Sequence, residues 1–225
     1  MKFFVQQSVL DAGVKIVFAC VEGIQNTYSE EWMEYRNQKI KELYNQYQDL
    51  NCKEDAILEG FNLLHDHTGV KRRKNIPASE NLIKLLIKRG DIGFINTAVD
   101  IYNLISIESK LALGAHDMDR TDGNVTLRFT KGDELFVPLG KEGGQPVKEH
   151  EYSYIDDSNE VLCRLEIRQV LKTLVDEHSK NIWYIVQGNG ATEQSYLVDV
   201  ANQIIQTTTK YCGGIGKVII PESVE

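Results

Sequence analysis

The feature that most constrains the fold is a change of pattern near residue 110. Before this point the apolar residues recur at helical spacing, whereas after it they come in short runs rich in β-branched and aromatic residues. Turns containing Gly, Asp and Asn separate the runs, which predicts mainly antiparallel strands. The runs are Val125–Phe129, Leu135–Pro138, Glu151–Tyr154, Glu160–Leu165 and Asn181–Val186.

Helical periodicity predicts five helices, and capping signals place their ends. Thr27 with Glu30 fits a capping box, and Pro77 and Gly90 bracket the third helix. Two further strands are expected, at Gly13–Val21 and Lys217–Ile220. The helices are expected at Thr27–Tyr47, Lys53–Leu64, Ala78–Arg89, Thr97–Ser109 and Thr192–Tyr211.

No repeat or linker divides the chain, so we expect a single α+β domain over residues 1–225, with residues 1–70 forming a helical N-terminal elaboration. The longest apolar run near the start, Val14–Val21, is too short to span a bilayer, and no secretion signal is evident. Four widely spaced cysteines favour reduced thiols over disulfides or a zinc site. A cytoplasmic protein that is not bound to membranes is expected.

Charge limits the kinds of nucleic acid that the chain can bind. A net charge of −8 disfavours sequence-independent binding of duplex DNA, which needs a broad cationic face. Residues 71–89 nevertheless carry seven basic residues against one acid, Glu80. The run Lys71, Arg72, Arg73 and Lys74 is therefore a candidate contact for an RNA backbone, although the segment also fits a solvated helix face and loop.

Familiar cofactor and metal motifs do not fit this chain. There is no G-x-x-x-x-G-K-[ST] loop, and Gly188-Asn189-Gly190 lacks the full glycine fingerprint of a dinucleotide site. His65 and His67 are two residues apart and do not share a helix face, so they favour a capped helix end over a metal site. The sequence predicts neither a metal nor a cofactor.

A polar stripe on the fourth helix is a candidate binding surface for a small polar ligand. Asn96, Asp100 and Asn103 are spaced four and three residues apart, so they line one side of the helix. Two of them have an alternative explanation. Thr97 and Asp100 fit a capping box, and Asn96 fits a cap or turn residue, whereas Asn103 fits neither role.

The stripe and the β-rich region after it resemble the B3/4 domain of the phenylalanyl-tRNA synthetase beta subunit, and more closely a family of standalone proteins that share this domain. The resemblance covers residues 71–190. It is carried by the basic segment Lys71–Gly90, Asn96, Val99-Asp100, Tyr102-Asn103, Ser106, Ala115-His116-Asp117, Arg128, Pro138-Leu139, Asp156-Asp157, Val161–Arg164 and Arg168.

The resemblance implies a β-sandwich-like core with flanking helices and the hydrolysis of tRNA that carries the wrong amino acid. We therefore expect a trans-acting aminoacyl-tRNA deacylase, with mischarged tRNA as its partner. The synthetase motif commonly reads Met-His-Ala-Phe-Asp where this chain has Leu113-Gly114-Ala115-His116-Asp117, so the histidine is displaced by two positions. The small Ala and Gly residues of the synthetase pocket also lack equivalents around Cys163–Glu166.

Roles follow for the candidate residues. Asn103 and His116 would hold the ester and its water, with His116 as a general base or as a core imidazole bonded to Asp117. Glu166 or Asp117 would bind the α-amino group of the substrate. Arg128 and Arg168 would organise these carboxylates, meet the terminal adenosine or form structural ion pairs. The substrate-binding set is Asn96, Asp100, Arg128, Glu166 and Arg168.

Two other functions remain open from the sequence. A protein of the same fold could bind tRNA ends or free amino acids without catalysis. Alternatively, the pocket could serve a hydrolase that acts on small esters or amides and ignores tRNA.

Overall fold

The computed structural model describes all 225 residues, Met1 to Glu225. Six α-helices lie in the chain: α1 Gln7–Asp11, α2 Glu30–Tyr47, α3 Ala56–His67, α4 Ala78–Arg89, α5 Thr97–Ser109 and α6 Gln194–Cys212. Ten strands complete it: β1 Phe3–Gln6, β2 Lys15–Glu22, β3 Ala112–Asp117, β4 Val125–Phe129, β5 Tyr152–Asp156, β6 Val161–Arg164, β7 Arg168–Gln169, β8 Asn181–Gly188, β9 Ile215–Ile219 and β10 Glu222–Val224.

The strands form two sheets. The six-stranded sheet has the order β10-β1-β4-β5-β6-β7, and the four-stranded sheet has the order β3-β8-β2-β9. Pairing is antiparallel except where β1 lies parallel to β4 and to β10. β2 pairs with β8 along its whole length, from Lys15 opposite Gly188 to Glu22 opposite Asn181. The α+β class and the mainly antiparallel core expected from the sequence are confirmed.

Alternation along the strands of the four-stranded sheet creates two cores, because successive side chains point to opposite faces. On β2, Val17, Ala19 and Val21 face the layer formed by α2, α5 and α6. Ile16 and Phe18 face the six-stranded sheet, and there Phe18 stacks on Phe3 with ring centroids 4.3 Å apart. The protein is therefore a helical layer on a sheet, packed on a second sheet.

Several elements begin and end where the sequence predicts, including α4, α5 and β4. The capping box predicted at Thr27 is wrong, because Ser29 is the N-cap of α2 and accepts from the amide of Trp32 at 3.2 Å.

Residues 1–70 supply β1 and β2 as well as helices, and β2 is an inner strand. β3 was not among the strands predicted from the sequence. None of the helices is long and apolar enough to cross a membrane.

A buried ion pair joins α2 to α5. The Arg36 guanidinium donates to Asp100 at 2.5 Å and to Asp91 at 2.6 Å; the Arg36 and Asp100 side chains are 3% and 0% exposed. Burial raises the pKa of Asp100 to about 6 in spite of the Arg36 charge, so the pair is fully ionised only above that pH. This contact fixes the helix that carries Asn103.

We expect Asp100→Ala to destabilise the fold by about 3 kcal/mol at pH 8, because it leaves a buried guanidinium with only the half-exposed Asp91. Urea unfolding of Asp100→Ala, Arg36→Met and the double variant measures this cost. The double variant should cost less than the sum of the two single variants by more than about 1 kcal/mol. The partly exposed pair Lys39–Glu108 is the control, with a coupling below about 1 kcal/mol. Equal coupling in the two pairs would contradict the expectation.

Candidate functional site

A cavity of about 450 Å³ opens beside β3, the edge strand of the four-stranded sheet. Helices α4 and α5 form one wall, and the end of the six-stranded sheet at β6 and β7 forms the other. The volume suits a small-molecule ligand. Its apolar lining includes Leu82, Tyr102, Leu113, Leu139 and Ile185.

Three side-chain amides in this cavity are free to bind a ligand. Asn81 lies on α4, Asn103 on α5 and Gln169 on β7. None of their side chains makes a hydrogen bond within the protein; Asn81 is exposed, and Asn103 and Gln169 are half-buried. A substrate that enters the cavity therefore meets uncommitted donors and acceptors from three different elements.

Glu166 supplies the carboxylate of the cavity. It lies in the turn between β6 and β7, where Leu165 has φ of 53°, and its side chain is 1% exposed. His65 Nε2 lies 2.6 Å from one carboxylate oxygen, and the Tyr152 hydroxyl donates to the other at 2.5 Å. Burial, with the nearby Glu166 charge, raises the pKa of Tyr152 well above its ordinary value, so Tyr152 remains a donor. The carboxylate is thus fixed in orientation.

Gly114 explains how Gln169 reaches the cavity. A Cβ atom at Gly114 would lie 2.6 Å from Gln169 Nε2, so Gln169 occupies the space over this glycine. Position 114 is where the synthetase motif places its histidine. In this chain the amide of Gln169 therefore fills the space that a side chain at position 114 would take.

Cys163 also lines the cavity, but its environment does not favour a nucleophile. Burial raises the pKa of its thiol far above the ordinary value, and the thiol lies 3.4 Å from the Leu165 carbonyl oxygen. The thiolate is the reactive form of cysteine. Cys163 is therefore a protonated wall residue.

Positive charge surrounds the mouth of the cavity. Arg168 and Lys141 line it, are exposed and form no ion pair. A furrow of about 540 Å³ adjoins the cavity at Ile76 and contains Lys53 and Arg73, which are likewise unpaired. An anionic ligand that approaches the cavity meets charges that no carboxylate neutralises.

His116 lies on the same face of β3 as Gly114 but outside the cavity. Two residues along a strand is about 7 Å, and at that point the segment that carries Thr173 covers the strand. His116 is fully buried, stacks on Trp183 at 4.4 Å and bonds Thr173 Oγ1 through Nδ1 at 2.7 Å. Burial lowers its pKa to about 3. The structure gives it the surroundings of a core imidazole, although Thr173 rather than Asp117 is its partner.

Asp117 is likewise turned away from the cavity. It caps a short 3-10 turn by accepting from the Asp119 amide at 2.9 Å, and Ser179 Oγ donates to it at 2.6 Å. Arg120 lies 3.5 Å from the same carboxylate. These contacts occupy both of its oxygens, which makes it a structural carboxylate at the end of β3.

The two other members of the α5 stripe lie away from Asn103. Asn96 is the N-cap of α5 and accepts from the Val99 amide at 3.0 Å, and its own amide donates to the Val175 carbonyl. Asp100 is committed to Arg36 in the buried ion pair. Only Asn103, one helical turn further along, reaches the cavity.

The basic candidates divide in the same way. Arg128 donates to Glu134 at 2.6 Å and to Asn159 at 2.8 Å, and it does not line the cavity. Arg72 is paired with Glu59 and Asp66, whereas Lys71, Arg73 and Lys74 are exposed without ion pairs. Of the predicted site residues, the structure brings Asn103, Glu166 and Arg168 to one cavity.

Sequence reasoning missed two residues that line the cavity, Asn81 and Gln169, and two residues outside its lining that hold Glu166, His65 and Tyr152. Tyr152 and His65 act through Glu166 across 14 and 101 residues of chain. His65 was noticed only for its spacing to His67. Asn81 and Gln169 carried no local signal, because an exposed helix amide and a two-residue strand have no distinctive pattern.

The comparisons with known proteins agree with this fold. Residues 67–198 match the family model described as the B3/4 domain, and the chain belongs to this family. A phenylalanine–tRNA ligase beta subunit from Fusobacterium nucleatum subsp. nucleatum is 25% identical over 154 residues, 66% of this chain and 19% of that protein. The chain therefore spans less than a fifth of this relative.

A solved structure shows the same fold over the whole chain. It is an N-terminal fragment of the phenylalanyl-tRNA synthetase beta subunit from Pyrococcus horikoshii, with a TM-score of 0.52 and 13% identity. The match covers 99% of this chain and 51% of that one. At this identity the likeness concerns the fold alone.

We expect the free energy of unfolding of His116→Phe to depend less on pH below pH 6.5 than that of the wild type. Because burial lowers the pKa of His116 from its ordinary value of 6.5 to about 3, the neutral, buried His116 stabilises the fold fully above pH 6.5 and progressively less as the pH falls towards 3. At pH 4 the wild type should have lost about 3 kcal/mol of its free energy of unfolding through His116, a loss that the variant does not have. At pH 7 it should lose about 1 kcal/mol, because Thr173 loses its partner.

Urea unfolding at pH 7 and pH 4 measures both effects. His178→Asn is the matched control, because His178 is 81% exposed, and its profile should follow that of the wild type. An acid loss that is equally steep in His116→Phe and in the wild type would contradict the assignment of His116 to the core.

Proposed function

We propose that this protein is a trans-acting aminoacyl-tRNA deacylase, which hydrolyses the ester of a mischarged tRNA in the cavity beside β3. The observation that carries the proposal is the meeting of Asn103, Glu166 and Arg168 at one cavity of ligand size. Membership of the B3/4 family supports it, since one relative is named as a tRNA ligase subunit. The RNA partner is inferred from that relative and from the basic mouth of the cavity.

The Glu166 carboxylate would bind the α-ammonium group of the amino acid. The group is present on every aminoacyl ester, and a buried carboxylate held by two partners offers it a fixed counter-charge. His65 and Tyr152 are positioning residues for this contact. The apolar wall with Tyr102 and Leu113 would then enclose the amino-acid side chain.

The Asn103 amide would stabilise the reacting carbonyl. Water attacks the ester carbon, the bond to the ribose oxygen breaks, and one water proton passes to that oxygen while the amino acid leaves as its carboxylate with release of the second proton to solvent. Asn103 would donate to the oxygen on which negative charge develops. Gln169, without a partner in the cavity, would orient the attacking water.

The energies required are modest because an aminoacyl ester is already reactive. A thousandfold acceleration needs about 4 kcal/mol at ~1.4 kcal/mol per factor of ten. One donor to a developing oxyanion contributes ~3 kcal/mol. Orientation of the water accounts for the remainder, so no strong nucleophile or histidine is required.

A specific observation favours a second candidate function, the binding of tRNA ends or amino acids without turnover. The cavity contains no imidazole, its thiol is protonated, and its carboxylate is bonded to both His65 and Tyr152. Such a site can hold an ammonium group without activating water. Retention of an intact aminoacyl-tRNA by the wild-type protein would distinguish this function from deacylation.

A panel of mischarged tRNAs tests the proposal, with the release of labelled amino acid as the measurement. At least one aminoacyl ester should be cleaved a hundredfold or more above its spontaneous rate. Cleavage of small amino-acid esters at the same rate as the aminoacyl-tRNA would instead indicate a small-molecule hydrolase. Spontaneous rates across the whole panel would remove the deacylase proposal.

We expect Asn103→Ala to reduce kcat by about 10²-fold, the cost of losing one oxyanion donor. Asn45→Ala is the matched control, because Asn45 is an exposed amide on α2 outside the cavity lining. Glu166→Gln should instead raise KM for aminoacyl-tRNA, with exposed Glu142→Gln as its control. A kcat of Asn103→Ala equal to that of Asn45→Ala would rule out the oxyanion role.

A further inference from the structure

A second basic furrow, of about 220 Å³, opens on the side of the cavity away from the Lys71–Lys74 turn. Its walls come from the segment 136–148 and from β6 and β7. Lys141, Lys148 and Arg168 line it, together with the apolar side chains of Phe136, Pro138 and Pro146. No sequence motif marked this segment as a binding surface.

The three cations of the furrow are not neutralised by the protein. Lys141, Lys148 and Arg168 are exposed and form no ion pair. Glu151 is the lining carboxylate, and Arg164 covers it with two bonds of 2.5 and 2.7 Å. The furrow therefore carries a net charge of about three positive units on a chain whose net charge is −8.

The acidic neighbours of these lysines do not line the furrow. Glu142 and Glu149 follow the two lysines in sequence and are exposed. Glu149 packs over Gly132, where a Cβ atom would lie 3.1 Å from its Cγ. The positive charge thus faces the furrow while the carboxylates lie outside it.

The furrow on the other side of the cavity is less positive. It contains four cations, but Arg72 is paired with Glu59 at 2.7 Å and Lys84 with Glu80 at 2.5 Å. Lys53 and Arg73 remain unpaired. Of the two approaches to the cavity, the furrow of Lys141 and Lys148 offers more uncompensated charge in a smaller volume.

Furrow and cavity are continuous, because Pro138, Lys141 and Arg168 line both of them. An RNA strand whose terminal ester lies beside Asn103 can therefore extend out of the cavity through this furrow. Separate exposed cations along a narrow track match the repeating phosphates of one strand. A duplex needs the broad cationic face that this acidic protein does not have.

We infer that the furrow lined by Lys141, Lys148 and Arg168 binds the backbone phosphates of the single-stranded 3′ end of tRNA and leads its terminal ester into the cavity. This inference rests on the proposed function for its choice of ligand. It assigns the main phosphate contacts to segment 136–148 and β7.

Salt dependence of tRNA binding tests the assignment directly. Each phosphate contact to a single strand contributes about −0.7 to the slope of log K against log salt concentration, so Lys141→Ala with Lys148→Ala should make the slope shallower by about 1.4. The probe is unfractionated deacylated tRNA with the full-length protein. Lys41→Ala with Lys180→Ala is the charge-matched control, because both lysines are exposed, unpaired and outside these furrows.

Two further arms locate the contact. Lys141→Arg with Lys148→Arg keeps the charge and should retain the wild-type slope. With tRNA trimmed of its last three nucleotides, the wild type and the double alanine variant should have equal slopes. The inference would be overturned if the slope changed as much in the Lys41/Lys180 control as in the furrow variant. It would also be overturned if the difference in slope persisted on trimmed tRNA, or if the protein did not bind tRNA at all.

The experiments distinguish a wrong assignment of the furrow from a wrong assignment of deacylase activity. If the wild type cleaves mischarged tRNA but the furrow variant and its control have equal slopes, the deacylase stands and the furrow assignment falls. If the lysine-dependent slope is found but no ester is cleaved, the furrow stands and the protein is a binding module.

Discussion

The site depends on one buried carboxylate and the two side chains that hold it. A carboxylate that is 1% exposed is stable only if it is well hydrogen-bonded, and Glu166 meets this need through His65 on α3 and Tyr152 on β5. Helix α3 and the six-stranded sheet are thereby joined through Glu166. Any substrate that binds Glu166 binds a group whose position both of these elements determine.

The opposite wall depends on a different constraint. Asn103 reaches the cavity because α5 is fixed at its start by the Asn96 cap and along its first turn by the buried Arg36–Asp100 pair. Polar residues of the same stripe thus divide into those that hold the helix and one that is free to meet a ligand. The free residues of the cavity are amides and cations, which suit the carbonyl of an ester and a phosphate chain, whereas an ammonium group would meet Glu166.

Periodicity and capping predicted α4, α5 and β4 with correct ends, because Pro77, Gly90 and regular apolar spacing are local signals. The elements that were missed depend on distant partners. β1 pairs with β4 and β10, and the ends of the chain therefore meet in one sheet. β3 was not predicted as a strand, and it is pairing with β8 that makes it one.

The sequence by itself determined the α+β class and the family, and it singled out Asn103, Glu166 and Arg168 as candidates, because these follow from patterns within short segments. Only the tertiary structure decided that His116 is enclosed by Trp183 and Thr173, and that Gln169 occupies the space over Gly114. The physical reason is that side chains two residues apart on a strand point to the same face of the sheet but contact different segments of the protein. Burial, and with it the pKa of a histidine, is set by the segments that fold over each position.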